Sequence, residues 1–230
     1  MVHVQEVLAV RGCVIIPAYN EEMLIGHLVK EVKKNGLDCL VIDDGSADKT
    51  KEEAEQSGAD VISHSKNLGK GSSLRAGFKK AIEGDYDFVI TMDGDGQHHP
   101  DELENFIRAA EKGGAAIILG NRMEDPRGMP LKRRLTNWFM SLLISSIAGQ
   151  RLPDTQCGFR LIRTEVLRSI PLTTDKYEIE SEILIKAAKA GFKIRSIPIR
   201  SIYGGQKSQI SPFKDTLRFL SFIFRITFKK

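Results

Sequence analysis

The sequence predicts an α/β protein built on a mostly parallel β-sheet with helices on both faces. Short β-prone apolar runs alternate with helix-like segments at βαβ spacing through the first half of the chain. The run 88–92 is apolar and β-prone, as expected of a strand buried on both faces of such a sheet. The chain has 230 residues, enough for a large core, and no linker-like segment divides it.

The elements of the first half follow each other in strand–helix order. Predicted strands cover 10–16, 39–42, 60–64, 88–92 and 115–120, and predicted helices cover 21–34, 47–57, 72–83 and 100–112. We expect Pro17 to end the first strand and Asn20 to cap the helix that follows, because proline lacks a backbone donor and asparagine favours the N-cap. Pro100 is expected at the first position of its helix.

The second half has a different pattern. A loop at 124–130, rich in proline, glycine and charge, is followed by predicted helices at 131–148, 178–190 and 213–230 and predicted strands at 157–162 and 192–199. The helix 131–148 has an apolar face formed by Leu131, Leu135, Trp138, Phe139, Leu142 and Leu143. Its first turn carries Lys132, Arg133 and Arg134, so the segment is basic as well as amphipathic.

Composition and charge exclude several classes of protein. The net charge of +4 is mild and does not indicate a nucleic-acid-binding protein. Two of the three cysteines, Cys13 and Cys39, lie in apolar strand-like runs, and with Cys157 they are expected as buried thiols in a reducing compartment. Residues 1–11 lack the features of a signal peptide, and no run of about 18 apolar residues is present. We therefore expect a cytoplasmic protein without a transmembrane helix.

Acidic residues follow two of the predicted strands, at the edge where open α/β sheets bind ligands. Asp93 and Asp95 come directly after strand 88–92, and Asp44 follows strand 39–42. Two carboxylates one residue apart suit a hard divalent cation whose other ligands are phosphate oxygens. Asp44 is a candidate acceptor for a ribose hydroxyl or a base N–H. The pattern predicts a site for a metal–diphosphate complex.

Two other kinds of metal site fit the sequence around Asp93 less well. A calcium-binding EF-hand loop starting at Asp93 would end on Glu104, but its sixth position holds His98 where glycine is required. A zinc site at His98 and His99 would lack a nearby cysteine or third histidine. We expect both histidines to line the turn before Pro100.

Further segments carry groups suited to a base, a phosphate or proton transfer, each with a simpler structural alternative. Tyr19 is a candidate to flank a base, and Lys70 lies among glycines before a helix N-terminus, where anions bind. Arg122 is a candidate to clamp a phosphate, or else a surface arginine. One of the carboxylates at Asp154 or at the acidic helix start 178–182 is a candidate general base, although acids near a helix start also act as caps.

In combination and order, these motifs resemble the family 2 glycosyltransferases, and more narrowly their dolichyl- and polyprenyl-phosphate hexose synthase branch. The matching motifs are residues 17–21, 43–46, 67–71, 93–95, 97–101, 120–122, 154–160 and 202–208. The resemblance implies a GT-A fold, a Rossmann-like, mostly parallel sheet with helices on both faces, followed here by C-terminal amphipathic helices. It also implies one domain at 1–211, with a nucleotide-sugar half at 1–122 and an acceptor half at 123–211, before an amphipathic helix at 212–230.

The resemblance also implies roles for individual residues. Those expected to bind the nucleotide-sugar donor are Pro17, Tyr19, Glu21 and Asp44, joined by Lys70 before its helix and by Lys207 on a late loop that closes over the donor. Those expected to bind Mg²⁺ or Mn²⁺ are Asp93, Asp95 and Gln97. Arg122 and one of Arg133 or Arg134 are expected to meet phosphates, and Asp154 and Glu180 to line the acceptor side.

The implied activity is the metal-dependent, inverting transfer of a hexose from GDP-mannose or UDP-glucose to a polyprenyl or dolichyl phosphate. The chain lacks the Q-x-x-R-W signature of processive relatives, so a single transfer is expected. A lipid phosphate is already anionic and needs no strong general base, whereas a hydroxyl acceptor would need Asp154 or Glu180. The alternatives are transfer to a soluble saccharide or protein hydroxyl, and a non-catalytic binding module.

A lipid acceptor would require contact with the membrane. The basic amphipathic segments 131–148 and 213–230 suit the membrane–water interface, which would make the protein peripheral at the inner face of the membrane. The alternative is that the first segment packs on the sheet and that the second forms a homo-oligomer.

Overall fold

The computed structural model describes residues 10–202 and 212–228, so the expected role of Lys207 falls outside the described residues. The strands are β1 (Gly12–Ala18), β2 (Asp38–Asp43), β3 (Asp60–Ser63), β4 (Phe88–Thr91), β5 (Ile117–Asn121), β6 (Arg160–Arg163) and β7 (Ile194–Pro198). The helices are α1 (Ile25–Lys34), α2 (Thr50–Gln56), α3 (Lys70–Glu83), α4 (Glu102–Glu111), α5 (Leu131–Ala148), α6 (Thr164–Ser169), α7 (Glu178–Lys189) and α8 (Pro212–Phe228). Each predicted element is present with shifted ends, and α6 is an addition that the sequence did not indicate.

The seven strands form one sheet in the order β3-β2-β1-β4-β6-β5-β7. Strand β6 runs antiparallel to both of its neighbours, β4 and β5, and the other pairs are parallel. The mostly parallel sheet is therefore confirmed, with one reversed strand. Because of this reversal, Arg160 at the start of β6 pairs with Thr91 at the end of β4. The segment before β6 is thereby placed at the same edge of the sheet as the acidic strand ends.

Side chains along each central strand alternate between two apolar layers. In β1, Cys13 and Ile15 face the layer that contains α3, α5, α6, α7 and α8, whereas Val14 and Ile16 face the layer that contains α1, α2 and α4. This period of two puts both faces of the strand in apolar surroundings. All three cysteines are buried thiols, as predicted, and burial raises the pKa of Cys13 to about 12.

Two local predictions at the end of β1 are wrong. Pro17 lies inside β1, opposite Ile42 of β2, and the strand continues past it. Pairing with β4 stops at Ile15, so β1 has an unpaired side at Pro17, which is where strands tolerate proline. Asn20 is not the N-cap of α1, which begins further along the chain. It adopts a φ of 57°, and its side-chain oxygen accepts a hydrogen bond from the backbone of Ala47.

Helix α5 buries its small and polar side rather than its apolar face. Its buried residues are Asn137, Ser141, Ile144 and Ala148. Five of its large apolar residues, called the α5 apolar face below, are between 56% and 70% exposed: Leu131, Leu135, Trp138, Phe139 and Leu142. The helix thus packs against the protein, with α7 as a neighbour, while its predicted apolar face points outward.

Helix α8 packs on α7 at the end of the chain. Phe222 is buried in this contact, and Arg218 Nε lies 3.6 Å from Glu178 Oε1, whereas Leu220 and Phe224 are exposed. Within the two described ranges, no helix combines the length and the apolar character needed to cross a bilayer.

Candidate active site

The C-terminal ends of β1, β2 and β4 meet the N-terminal end of the antiparallel β6 at one edge of the sheet. The hydroxyl of Thr91, the last residue of β4, donates a 2.7 Å hydrogen bond to the carbonyl of Gly158, just before β6. Lys70 begins α3 and Glu178 begins α7, and both helix starts approach the same edge. The described candidate residues therefore come from segments that are distant in the sequence and converge here.

Three charged side chains, called the Lys70 cluster below, meet at this edge: Lys70, Asp93 and Glu180. The Lys70 ammonium lies 2.6 Å from Asp93 Oδ1 and 2.6 Å from Glu180 Oε1. Gly158 lies directly against the Lys70 cluster. A Cβ on this glycine would lie 2.8 Å from Asp93 Oδ2, 2.9 Å from Glu180 Oε1 and 3.0 Å from Lys70 Nζ. Any larger residue at this position would therefore make the ends of these charged side chains shift.

Charge pairing controls the ionisation of the cluster. Burial on its own would raise the pKa of the Asp93 carboxyl, but the neighbouring Lys70 ammonium outweighs this and lowers the pKa to about 2. In return, Asp93 and Glu180 raise the pKa of Lys70 in spite of its burial. Lys70 is thus protonated and Asp93 ionised at neutral pH.

Asp95 and Gln97 form a turn directly after Asp93. The Asp95 carboxylate accepts hydrogen bonds from the backbone N–H of Gln97 at 3.0 Å and from its side-chain amide at 2.7 Å. The side-chain Oε1 of Gln97 accepts a 3.1 Å hydrogen bond from Nη2 of Arg133, in the first turn of α5. The predicted metal-binding turn is therefore linked directly to the helix that carries the α5 apolar face.

The donor atoms at this turn suit a hard cation. Asp93, Asp95 and Gln97 offer carboxylate and amide oxygens, which Mg²⁺ and Mn²⁺ prefer. In the part of the chain that the structure describes, no three His, Cys, Asp or Glu side chains are grouped to hold an ion by themselves. Burial, followed by the charges of Asp95, Asp48 and Asp93, raises the pKa of Glu21 to about 7. A divalent cation completed by diphosphate oxygens fits this excess of negative charge.

Three of the predicted donor-binding residues lie beside this turn or on the loop that approaches it. A Cβ at Gly94 would lie 3.3 Å from the Pro17 carbonyl oxygen and 3.5 Å from Glu21 Cγ, so both residues border the turn between Asp93 and Asp95. Tyr19 is half-buried on the same loop, between Pro17 and Glu21. Their contact with a nucleotide stays a prediction.

Asp44 is buried and binds the segment that precedes Lys70. Its carboxylate accepts hydrogen bonds from the backbone N–H groups of Leu68 at 2.9 Å and Gly69 at 2.7 Å, and lies 2.8 Å from Nδ1 of His64. Gly69 has a φ of 104°, in the region that favours glycine. Asp44 thus fixes the start of α3 and the position of Lys70, and its predicted contact with a nucleotide remains a prediction.

Arg122 and Asp154 form a buried, bidentate ion pair. Arg122 Nε lies 2.7 Å from Asp154 Oδ2, and Nη2 lies 2.9 Å from Oδ1. Asp154 is 0% exposed, so in this arrangement it does not reach an acceptor. Glu180 keeps some accessible surface, which makes it the better placed of the two candidate bases. The predicted contact of Arg122 with a phosphate stays a prediction.

The role of Arg160 was not predicted from the sequence. Its guanidinium is fully buried and donates hydrogen bonds to the backbone carbonyls of Cys157 at 2.7 Å, Thr155 at 2.9 Å and Glu180 at 2.6 Å. These bonds join the segment before β6 to the start of α7. The available signal was an arginine within the predicted strand 157–162, whose other residues are uncharged.

His98 shapes the other side of the turn. Its ring is buried and stacks on Phe159 with a centroid separation of 5.0 Å, and its Nδ1 accepts a 3.2 Å hydrogen bond from the Asp93 backbone. His98 therefore lines the turn, as expected, and also supports the backbone of the first metal-ligand candidate.

Comparison with known proteins bears on the same segments. Residues 13–170 match the family model described as Glycosyl transferase family 2. The chain is similar to the UDP-N-acetylglucosamine–dolichyl-phosphate N-acetylglucosaminyltransferase of Methanococcus voltae, with 32% identity over 212 residues, covering 82% of this chain and 84% of that protein. It is also similar to the undecaprenyl-phosphate mannosyltransferase of Micrococcus luteus, with 30% identity over 204 residues, covering 82% of each.

The structure resembles that of glucosyl-3-phosphoglycerate synthase from Mycobacterium tuberculosis, solved in complex with Mn²⁺, uridine diphosphate and phosphoglyceric acid. The TM-score is 0.71, with 20% identity, covering 94% of this chain and 78% of that one. At this identity the likeness establishes the fold alone, and it confirms the GT-A fold expected from the sequence.

Proposed function

Because the chain belongs to glycosyltransferase family 2, we propose that it transfers a sugar from a nucleoside-diphosphate donor to a polyprenyl phosphate at a membrane surface. The observation that carries this proposal is the α5 apolar face, which is exposed and is connected to the metal-binding turn through Arg133 and Gln97. The donors expected from the sequence are GDP-mannose and UDP-glucose. The name of the Methanococcus voltae relative adds UDP-N-acetylglucosamine as a donor to test.

The donor would bind at the acidic edge of the sheet. Asp93, Asp95 and Gln97 would hold Mg²⁺ or Mn²⁺, and Pro17, Tyr19, Glu21 and Asp44 would line the nucleotide. The bound cation would neutralise the negative charge that develops on the nucleoside diphosphate as it leaves. The hydrogen bond from the Gln97 amide holds the Asp95 carboxylate, and the bond from the Asp93 N–H to His98 holds the backbone of Asp93, before the donor arrives.

The acceptor would approach from the side of Glu180 and α5. A lipid phosphate is anionic, so it can attack the sugar in a single displacement with inversion and needs no proton removed. Glu180 then serves to hold Lys70 rather than to act as a base. Should the acceptor be a hydroxyl, Glu180 is the accessible carboxylate for its proton, because Asp154 is enclosed by Arg122.

The membrane is the partner that fits the exposed side of α5. Lys132, Arg133 and Arg134 lie on the first turn of the same helix and are exposed, so cations flank the apolar surface. An apolar face beside a basic turn matches an anionic bilayer, where leucine and tryptophan enter the acyl boundary and cations meet phosphates. A lipid-linked phosphate would then lie at the depth of the metal-binding turn.

Two substitutions on the α5 apolar face provide the test. The double variant Trp138→Glu with Leu142→Glu should lower binding to anionic vesicles at least tenfold, because each large apolar side chain contributes about 1.5–3 kcal/mol when buried. Transfer to polyprenyl phosphate in those vesicles should fall with it. Val10→Glu is the matched control, since Val10 is an exposed apolar residue before β1, at the opposite edge of the sheet.

The same assays distinguish the alternatives. Vesicle binding by the double variant at the wild-type level would rule out α5 as the membrane contact. Turnover of a soluble saccharide or protein hydroxyl, without turnover of the lipid phosphate, would replace the proposed acceptor. Absence of any transfer with each donor in the presence of Mn²⁺ would leave a non-catalytic binding module.

A further inference from the structure

Lys70 places a positive charge against one of the two carboxylates proposed to bind the divalent cation. Its ammonium lies 2.6 Å from Asp93 Oδ1, while the other oxygen, Oδ2, faces the backbone of Gly158. A metal ion bound to Oδ1 would stand within a few ångströms of the ammonium, and two cations at that separation repel each other strongly in a half-buried site. Lys70 and the metal cannot both occupy Asp93 Oδ1 in this arrangement.

We infer that Lys70 stands in for the divalent cation at Asp93 while the donor is absent, and that metal and nucleoside diphosphate displace it together. The inference rests on the proposed binding of a metal–diphosphate donor at this site. It adds that Lys70 is a positioning residue whose ammonium changes partner during the binding of the donor.

The geometry gives the displaced ammonium two places to go. Glu180 Oε1 is already 2.6 Å from Lys70 Nζ, so the ammonium keeps one carboxylate partner when Asp93 turns to the metal. The diphosphate supplies a second partner, and anions are favoured at the N-terminus of α3, where Lys70 stands. A metal ion arriving alone offers Lys70 no such compensation, so it must compete with an ammonium held by two carboxylates.

The way in which Lys70 is anchored favours a role in donor binding over the role of a purely structural ion pair. The backbone before it is fixed by the two hydrogen bonds to Asp44, while only its long side chain has to move. The start of α3 can therefore stay in place as the ammonium leaves Asp93. This arrangement couples the binding of the metal to that of the diphosphate, because each removes an obstacle to the other.

Calorimetric titration of Mn²⁺ into the donor-free protein tests the inference directly. Lys70→Met removes the competing cation, so Mn²⁺ alone should bind about tenfold more tightly than to the wild type. The further gain in Mn²⁺ affinity produced by UDP or GDP should become smaller in this variant. Lys70→Arg, which keeps a cation, should bind Mn²⁺ as weakly as the wild type does.

Lys80→Met is the matched control, the same substitution at an exposed position on the same helix, and should leave Mn²⁺ affinity unchanged. Lys70→Gln repeats the measurement with a polar side chain in case the methionine variant does not fold. Unchanged or weaker Mn²⁺ binding in the folded Lys70 variants would overturn the inference. No lipid or acceptor enters the titration, so failure of the lipid-transfer assay is a separate result.

Discussion

Replacing Gly158 by alanine tests whether activity depends on the space that this glycine leaves beside Lys70, Asp93 and Glu180. The added Cβ would lie 2.8–3.0 Å from an atom of each of the three side chains. Ordinary contacts begin at about 3.4 Å, so these atoms must retreat by about 0.4–0.6 Å. Misplacing catalytic groups by about 1 Å costs about 100-fold in rate, so we expect kcat to fall roughly 10- to 100-fold.

The assay is the initial rate of sugar transfer with saturating donor and acceptor, divided by the folded fraction measured in a urea titration. Gly77→Ala is the matched control, because its Cβ would lie 2.6 Å from Ile15 Cγ2 and strain the apolar contact of α3 with β1 instead. Gly77→Ala overpacks the interior and should cost about 1–3 kcal/mol of stability, whereas the ends of the charged side chains beside Gly158 can shift at a smaller cost. A wild-type kcat for folded Gly158→Ala would refute the importance of this geometry.

Two further predictions concern stability. Asp154→Ala removes the carboxylate that forms a buried ion pair with Arg122, and urea unfolding should show a loss of about 3–5 kcal/mol, whereas Arg127→Ala at an exposed ion pair should change little. Burial alone would raise the pKa of Glu182, but hydrogen bonds from Lys186 and two threonines lower it from 4.5 to about 2. The ionised Glu182 carboxylate stabilises the fold by about 3 kcal/mol above pH 4.5, and this stabilisation is lost as the pH falls through 2. The difference in Tm between the wild type and Glu182→Gln should therefore shrink as the pH is lowered from 4.5 to 2.

That the candidate residues would meet at one edge could be predicted, because it depends on where strands end. Asp44 and Asp93 follow strongly apolar runs, and parallel strands bring their C-terminal ends to one edge. The partners of these residues could not be predicted in the same way. Lys70 and Glu180 are 110 positions apart, and they meet only because β6 enters the sheet in reverse beside β4. Periodicity along a chain does not specify which strands become neighbours, so the reversed strand and the pairing of Arg122 with Asp154 required the structure.

The orientation of α5 shows why an apolar stripe predicts a helix more reliably than it predicts what the helix touches. The opposite side can be buried because its polar groups have partners: the Ser141 hydroxyl accepts a 2.9 Å hydrogen bond from the backbone of Thr155 and lies 3.3 Å from its hydroxyl. Small residues such as Ala148 then allow close packing. Among the described residues nothing covers the α5 apolar face, and leaving several large apolar side chains in water forgoes about 1.5–3 kcal/mol each. The proposed contact with a bilayer would recover part of this free energy, and it would lie at the end of α5 where Arg133 reaches the side chain of Gln97.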